Sequence, residues 1–302
     1  LPTLYGVIVR RRTAMGRMTG SCLSIYGMSC GDFEMWDRNR RNMLGTMDDM
    51  PQYRKYMTQA LELAHKGAGW VNPNPLVGTV VVRDGEILAA GYHDRYRGPH
   101  AERMAFDYAD DHGIDMHGAT VIDTLEPCCH VGSQPACTDL ILSHGITRVV
   151  VGSIDPNPIV AGKGLRILEE NGVEVVYDVM RAECDAINRH FFHYITTGMP
   201  YIVDGRRRAG ESDSEYAVRR RELYATYAAV LAGTESDVPD ESFAHFNGPV
   251  QAVGADEVVI GGHRPLLLEA GALACTDPDE WLSELGKRKI DSLIVESDEA
   301  FE

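Results

Sequence analysis

Apolar and polar positions alternate over residues 47 to about 197 in a way that predicts helices and strands in turn. MTQALELAHKG and HAERMAFDYADDHG have apolar residues at helical spacing, and each ends in glycine. LVGTVVVRDGEILAAGYH predicts two strands joined at Asp84-Gly85, a typical hairpin signal. Further strands are predicted at ATVIDTL, TRVVVGSIDP and VEVVY, with helices at CTDLILSHG and GLRILEENG. This alternation predicts an α/β domain with a mixed sheet and helices on both faces.

The two flanking regions lack this regularity. Residues 1–46 show no sustained period and carry seven arginines against three acidic residues. They are interpreted as an N-terminal extension, with three origins left open: an upstream segment before a true start at Met47 or Met50, a disordered tail, or an organelle transit peptide. In residues 198–302, YAVRRRELYATYAAVLAG predicts a helix, and EVVIGG and DSLIVES predict strands between acidic loops. The sequence thus predicts three parts, 1–46, 47–197 and 198–302.

Composition narrows the class of protein. The chain has 302 residues, of which 44% are hydrophobic and 25% are charged, as in a globular protein of two ordinary domains. No apolar run approaches the roughly 20 residues that span a bilayer. The formal net charge of −16 argues against a nucleic-acid partner, which would require a basic face. Seven scattered cysteines do not suggest a disulfide framework and fit a reducing cytoplasm.

Candidate chemistry is concentrated in two short stretches. Glu102 lies two residues after His100 at the start of a predicted helix, and EPCCHVGSQPAC, residues 126–137, follows a predicted strand. A histidine and two thiolates leave one position open on tetrahedral zinc, which is the arrangement of a catalytic site. Water bound there would have its pKa lowered to roughly 7. A neighbouring carboxylate could then transfer protons, as in the zinc nucleobase deaminases.

Three thiols compete for two ligand positions in this stretch. Cys128 follows Glu-Pro, as the deaminase signature requires, and Cys137 begins the next predicted helix. Cys129 is adjacent to Cys128, so its side chain should point elsewhere and serve packing. The short deaminase spacing is Cys-x-x-Cys, so the loop between Cys128 and Cys137 is an insertion.

That insertion and four other motifs carry a family resemblance. NPNPLVGTVVV, GYH, HAE, EPCCHVGSQPAC and DPNPIVAGKG occur in one order over about residues 50 to 197. Together they closely resemble the deaminase domain of the bacterial riboflavin-biosynthesis deaminase/reductase family. The resemblance implies a cytidine-deaminase-like α/β/α sandwich around a mixed sheet. It also implies a diaminopyrimidinone ribosylamine 5′-phosphate as the small-molecule substrate, which loses its 2-amino group as ammonia and becomes a uracil-type ring.

The same resemblance assigns roles to individual residues. His100, Cys128 and Cys137 would hold zinc, and Glu102 would transfer a proton from water to the ring nitrogen and the leaving amine. Five further positions match family residues that line the substrate pocket: Asn74, His93, His130, Asp155 and Asn157. For His93 and His130, a packing role remains an alternative to substrate binding. Asn74 and DPNP could also do no more than shape turns.

The sequence departs from the family in two places. Ser133 to Ala136 read SQPA where the family has Lys/Arg-Thr-Pro-Pro, so Ser133 cannot offer the positive charge that would meet a substrate phosphate. The C-terminal part resembles a dihydrofolate-reductase-like domain at MPYIV, RRRELYATYAAVLAG and DSLIVESDEAF, but it is far shorter. DGRRRAGESDSE replaces the family's lysine and Ser-x-Asp-Gly, and Glu296-Ser297-Asp298 replaces Glu-Gly-Gly. We therefore expect a degenerate remnant that does not bind NADPH.

Three functions remain to be separated. The first is deamination of the riboflavin-pathway pyrimidine, and the second is deamination of a related pyrimidine that lacks the 5′-phosphate. The third is a non-catalytic scaffold stabilised by zinc, which an intact Glu102 disfavours because a structural zinc site needs no general base. The expected location is cytoplasmic, or plastid if residues 1–46 are a transit peptide. Association into a homo-oligomer is left open.

Overall fold

The computed structural model describes residues 51–131, 134–157, 160–231, 266–268 and 278–296. The predictions for residues 1–46, for EVVIGG and for Ser133 lie outside these ranges. In the described ranges, no helix combines the length and the apolar composition needed to cross a membrane. Packing divides the described residues into two compact units. Of the described residues, the N-terminal unit contains 51–67 and those between 75 and 192, and the C-terminal unit contains 68–74 and those from 193 onward.

The N-terminal unit alternates helices and strands, as the sequence predicted. Its strands are β1 Gly78–Arg83, β2 Glu86–Tyr92, β3 Thr120–Leu125, β4 Arg148–Ser153 and β5 Glu174–Val176. Its helices are α1 Pro51–Ala64, α2 Ala101–Asp111, α3 Cys137–Ser143, α4 Lys163–Glu170 and α5 Arg181–Ile187, and α6 Arg189–Thr197 follows them.

The five strands form one mixed sheet in the order β2-β1-β3-β4-β5. β1 is antiparallel to both β2 and β3, while β3, β4 and β5 run parallel to one another. Successive side chains of a strand point to opposite faces, so each strand contributes to two cores. Val81, Val121 and Val149 pack with α2, α3 and α4 on one face. Val80, Ile122 and Val150 pack with α1 and α5 on the other. The predicted mixed sheet with helices on both faces is confirmed.

Local sequence explains most of these elements, and two details differ from the prediction. Asp84 and Gly85 adopt positive φ values of 54° and 87°, as a tight hairpin turn requires. Helix α1 begins at Pro51, ahead of the predicted stretch, because Tyr53 and Tyr56 join its buried face. Helices α5 and α6 were not predicted, since each is short, at seven and nine residues.

The C-terminal unit contains a four-stranded sheet in the order β6-β9-β7-β8, with all pairings parallel. MPYIV supplies β6, and DSLIVES supplies β9 as predicted. The stretch YAVRRRELYATYAAVLAG, predicted as one helix, supplies most of α7 and then the strand β7, because residues 229–231 pair with β8 and β9. The elements are β6 Tyr201–Asp204, α7 Asp213–Thr226, β7 Ala229–Leu231, β8 Leu266–Leu268, α8 Pro278–Lys287 and β9 Ser292–Val295.

Residues 68–74 belong to the C-terminal unit because a buried polar contact holds them there. Asn72 Nδ2 donates hydrogen bonds to both carboxylate oxygens of Asp291, at 3.1 and 3.2 Å. Asp291 is fully buried and also accepts from Ser292 Oγ at 2.9 Å. The contact joins positions 219 residues apart. The domain boundaries at residues 46 and 197 stay predictions.

Candidate active site

The ends of β3 and β4 bring the candidate residues to one edge of the N-terminal sheet. Leu125 and Ser153 are register partners, and the Glu126 N–H donates to the Ser153 carbonyl at 2.9 Å. The chain leaves β3 into Glu126-Pro127-Cys128 and leaves β4 into the Asp155 segment. Since the carboxyl ends of adjacent parallel strands lie side by side, both functional segments start from the same place, where open α/β sheets bind ligands.

One imidazole and two thiols meet near this edge. The ligand atoms of His100, Cys128 and Cys137 all lie within 4.8 Å of one another, and they form the only such group of His, Cys, Asp and Glu in the part of the chain that the structure describes. His100 Nδ1 lies 3.5 Å from Cys128 Sγ and 3.4 Å from Cys137 Sγ. The structure therefore brings together the three residues that the sequence predicted as metal ligands.

These separations fit a tetrahedral zinc ion. With Zn–S near 2.3 Å and Zn–N near 2.0 to 2.1 Å, tetrahedral angles put a nitrogen about 3.6 Å from each sulfur. The two observed distances agree with that edge length. Two thiolates and one imidazole are also donors that zinc prefers, and they leave a fourth position for a small molecule. The residues present thus fit a catalytic zinc ion, although their role as ligands stays a prediction.

Backbone N–H groups at the start of α3 hold the two sulfurs in place. Cys137 is the first residue of α3, and its N–H donates to Cys128 Sγ at 3.4 Å. The Thr138 N–H donates to the Cys128 carbonyl at 3.1 Å. A hydrogen bond with Cys137 lowers the pKa of the Cys128 thiol to about 4, and the bond to Cys128 in turn raises the pKa of Cys137 and of His100. Cys128 is therefore the readier thiolate of the pair.

Glu102 lies in the first turn of α2, two residues after His100, and only 3% of it is exposed. Burial raises the pKa of its carboxyl, and the positive charge of His100 opposes that rise. Its side chain shares a hydrogen bond with the Cys137 thiol. The structure thus places an acid/base group beside the predicted ligands, in a position where it can hold or release a proton.

Glu126 anchors the segment that follows β4. Its carboxylate accepts hydrogen bonds from the backbone N–H groups of Asp155 at 3.3 Å, Gly162 at 2.8 Å and Gly164 at 3.1 Å. Burial nevertheless raises the pKa of Glu126 to about 7. Gly164 is required here, because an added Cβ would lie 2.4 Å from the Pro127 carbonyl oxygen. The segment after β4 is consequently tied to the residues that lead into Cys128.

The predicted substrate contacts fall into two groups in the N-terminal unit. Asp155 is buried, Asn157 is half-buried, and the Asn157 N–H donates to Asp155 Oδ1 at 2.8 Å. His93 is 3% exposed, and its Nδ1 lies 2.8 Å from the Pro99 carbonyl oxygen. It therefore packs against the residue that directly precedes His100. Burial lowers the pKa of His93, so its ring is neutral at pH 7 and Nδ1 donates this bond. His130 is exposed.

The remaining predicted contact, Asn74, lies in the C-terminal unit by packing. It is half-buried, and its N–H donates to the Val71 carbonyl at 2.8 Å. The roles of Asn74, His93, His130, Asp155 and Asn157 in substrate binding stay predictions. Cys129 is half-buried and is not a member of the ligand group, as predicted.

Three residues beside the site received no role from the sequence alone. Glu126 follows a strand end, which is a usable signal that was overlooked. Gln134 contacts Gly98 and His100 across 36 and 34 residues, and no local pattern reveals that. Asp123 is fully buried in β3 and accepts a hydrogen bond from the hydroxyl of its cross-strand partner Thr79. Burial raises the pKa of Asp123, and the Glu102 carboxylate raises it further.

The fold and this site define a protein of the cytidine-deaminase-like class. Residues 50–153 match the family model described as the cytidine and deoxycytidylate deaminase zinc-binding region. Riboflavin biosynthesis protein RibD of Actinobacillus pleuropneumoniae is 36% identical over 84% of this chain and 79% of its own length. The chain therefore belongs to the RibD family of riboflavin biosynthesis proteins, and the family resemblance read from the sequence is confirmed.

Other relatives delimit the shared region. RibD of Escherichia coli is 42% identical over 62% of this chain, which spans about half, 53%, of that protein. A diaminohydroxyphosphoribosylamino-pyrimidine deaminase of Buchnera aphidicola is 41% identical over 49% of this chain and 98% of its own length. Among solved structures, a deaminase/5-amino-6-(5-phosphoribosylamino)uracil reductase of Thermotoga maritima covers 82% of this chain and 81% of its own, with 32% identity and a TM-score of 0.64. About half of this chain thus matches almost the whole of a protein that carries the name of the deaminase alone.

Proposed function

We propose that this protein catalyses zinc-dependent hydrolytic deamination of 2,5-diamino-6-(5-phosphoribosylamino)pyrimidin-4(3H)-one to 5-amino-6-(5-phosphoribosylamino)uracil and ammonia. The family and the names of its relatives support this substrate. The observation that carries the proposal is the buried carboxylate of Glu102 next to an imidazole and two thiols at tetrahedral spacing. A purely structural zinc site has no use for such a base.

His100, Cys128 and Cys137 would hold the zinc ion, which supplies Lewis-acid activation of a water molecule. Glu102 would accept a proton from that water at its carboxylate, carry it to the ring nitrogen, and then protonate the departing amine. The C–O bond would form as the ring nitrogen takes up this first proton. The second proton of the water would then pass from the new hydroxyl group through Glu102 to the amine, so that the C–NH₂ bond breaks as the C=O bond forms and the products are the uracil-type ring and ammonia. Burial favours this role because a raised pKa brings the carboxyl closer to the working pH of a general acid/base.

Asn74, His93, His130, Asp155 and Asn157 are proposed to bind the pyrimidine and its ribosylamine. Asp155 and Asn157 are held at the sheet edge through Glu126, which supports a fixed pocket wall there. Ser133, the position that raises doubt about the 5′-phosphate, lies outside the described residues. Comparing turnover of the phosphorylated and dephosphorylated pyrimidines will show which of the two deaminase functions applies.

The decisive experiment replaces Glu102 with glutamine. Glu102→Gln should retain one equivalent of zinc and lower kcat by at least about 100-fold, because general acid–base catalysis contributes roughly 10²- to 10⁴-fold. Ammonia release and elemental analysis on the same preparations measure both quantities. Glu62→Gln, an exposed position on α1, is the matched control and should turn over normally. Normal turnover by Glu102→Gln would refute the mechanism, and a wild-type protein that binds zinc without releasing ammonia would favour the scaffold.

We also propose that the C-terminal unit has lost NADPH-dependent reduction. Ligands of parallel α/β sheets bind beyond the carboxyl ends of the strands. At that edge Glu296, directly after β9, is held by Arg220 at 2.7 and 2.5 Å and by the Tyr224 hydroxyl at 2.7 Å. Its charge and its acceptor atoms are thus occupied by the protein itself. Titration with NADPH, followed by the fluorescence of the nicotinamide, should give no saturable binding, and a stoichiometric complex would overturn this proposal.

A further inference from the structure

The segment Gly98-Pro99-His100, which leads into the imidazole ligand, is held by side chains from two directions. Gln134 Nε2 donates to the Gly98 carbonyl at 2.7 Å, and the His100 N–H donates to Gln134 Oε1 at 3.4 Å. Between these two contacts, the Pro99 carbonyl accepts a hydrogen bond from His93 Nδ1 at 2.8 Å. Each of the three residues before α2 therefore has one backbone group fixed by a distant side chain.

The contact of Gln134 fits the local backbone closely. One amide satisfies a carbonyl and an N–H two residues apart, as a neighbouring strand would do. His100 is the N-cap of α2, and its own side chain makes no capping hydrogen bond. The imidazole instead faces the two sulfurs, at 3.4 and 3.5 Å. Gln134 thus binds the backbone of the residue whose side chain is turned toward the metal position.

Gln134 also belongs to the loop between the two thiol ligands. It lies six residues after Cys128 and three before Cys137. Its amide consequently links the chain segment that supplies both sulfurs to the segment that supplies the imidazole. Residues that orient metal ligands from outside the coordination sphere commonly change metal affinity by 10- to 100-fold when they are replaced. The family motif has threonine where Gln134 stands, so this link is a feature of the present sequence.

We propose that Gln134 is a positioning residue for the metal centre, which cross-links the thiol loop to the backbone of His100 and so sets the affinity of the site for zinc. His93 supports the same segment through the Pro99 carbonyl. This inference rests on the proposed zinc site. Gln134 acts through His100 and takes no part in proton transfer.

Zinc affinity of the full chain, measured by competition with a chromophoric chelator, tests the proposal. Gln134→Met keeps the length of the side chain and removes both hydrogen bonds, so it should raise the zinc Kd by about 10- to 100-fold. In protein loaded with Co²⁺, its visible absorption bands should shift, because the imidazole is less firmly oriented. Asn171→Leu is the matched control, since it removes another amide-to-carbonyl bond, Nδ2 to Ile167 at 2.8 Å, on an exposed site. It should leave both readouts unchanged.

The outcomes separate this inference from the proposed function. A wild-type protein that binds no zinc would remove the proposed function and the inference together. A wild type that binds zinc, with an unchanged Kd and Co²⁺ spectrum for Gln134→Met, would overturn the positioning role alone. If Gln134→Met does not fold, Gln134→Asn takes its place. Its amide is one methylene shorter and cannot span both backbone groups, so wild-type affinity in that variant would equally overturn the proposal.

Discussion

The two sheets of this protein differ in the polar residues that lie beyond the carboxyl ends of their strands. In the N-terminal unit, the edge beyond β3 and β4 gathers thiols, an imidazole and buried carboxyl groups whose pKa values are displaced from their usual range. In the C-terminal unit, the edge beyond β9 carries Glu296, whose negative charge is paired with Arg220 in a salt bridge of 2.5 Å. A site that binds and transforms a ligand needs polar groups whose charges are not already neutralised by neighbouring residues. The comparison teaches that polar residues at a strand end indicate function only when their charges are not already paired.

Breaking the ion pair between Arg220 and Glu296 should change stability more than any substitution at Asp155. The side chains of Arg220 and Glu296 are only 13% and 7% exposed. Arg220→Met should lower the free energy of unfolding of the C-terminal unit by about 3 to 5 kcal/mol, because it leaves a buried carboxylate without its cation. Hydrogen exchange of peptides covering β6 and β9, measured by mass spectrometry, reports on this unit separately.

Two companion variants make that result interpretable. Arg220→Met combined with Glu296→Leu should recover much of the loss, because no buried charge is then left behind. Arg54→Met is the control in the N-terminal unit, where the Arg54–Glu183 pair spans 3.7 Å with both side chains more than 40% exposed. It should cost at most about 1 kcal/mol. If the double variant were as unstable as Arg220→Met alone, packing and not charge would explain the effect.

Ionisation of Asp155 should have a smaller effect on stability, and it tests whether a carboxyl group at the edge of the N-terminal sheet is held in an unfavourable environment. Burial raises the pKa of Asp155 from 3.8 to about 6, so the folded protein binds this proton more tightly than the unfolded chain does. The group therefore stabilises the fold fully below about pH 4, and that stabilisation is lost as the pH rises through 6. Asp155→Asn keeps an oxygen for the Asn157 N–H and cannot ionise. Between pH 4 and 7, the wild type should lose about 2 kcal/mol relative to this variant.

Urea unfolding at several pH values, with chelator present throughout so that metal release does not contribute, measures this difference. A difference between wild type and Asp155→Asn that stays constant from pH 4 to 7 would mean that Asp155 is ionised at no cost. The N-terminal edge would then resemble the C-terminal one, and the contrast between them would fail at this residue.

The sequence predicted what is local in this protein. Asp84-Gly85 specified a hairpin because the turn requires positive φ at both residues, and His100, Cys128 and Cys137 were found because their motif is linear and chemically narrow. Gln134 and Glu126 escaped prediction for the opposite reason. Their partners are 29 to 38 residues distant, and a glutamine or a glutamate carries no indication of which backbone groups it will meet. Helices α5 and α6 were missed because they are only seven and nine residues long, and helices of that length depend on tertiary packing.

Glu126 has a consequence for how this protein can change over evolutionary time. One carboxylate, two residues upstream of Cys128, holds three amides of the segment that carries Asp155. The segment proposed to bind the substrate and the segment proposed to hold the metal are therefore mechanically linked. A lineage that altered this wall to accept a new pyrimidine would disturb the thiol loop in the same step, unless it first rebuilt the attachment. Innovation in such a scaffold should begin at positions that neither Glu126 nor Gln134 holds.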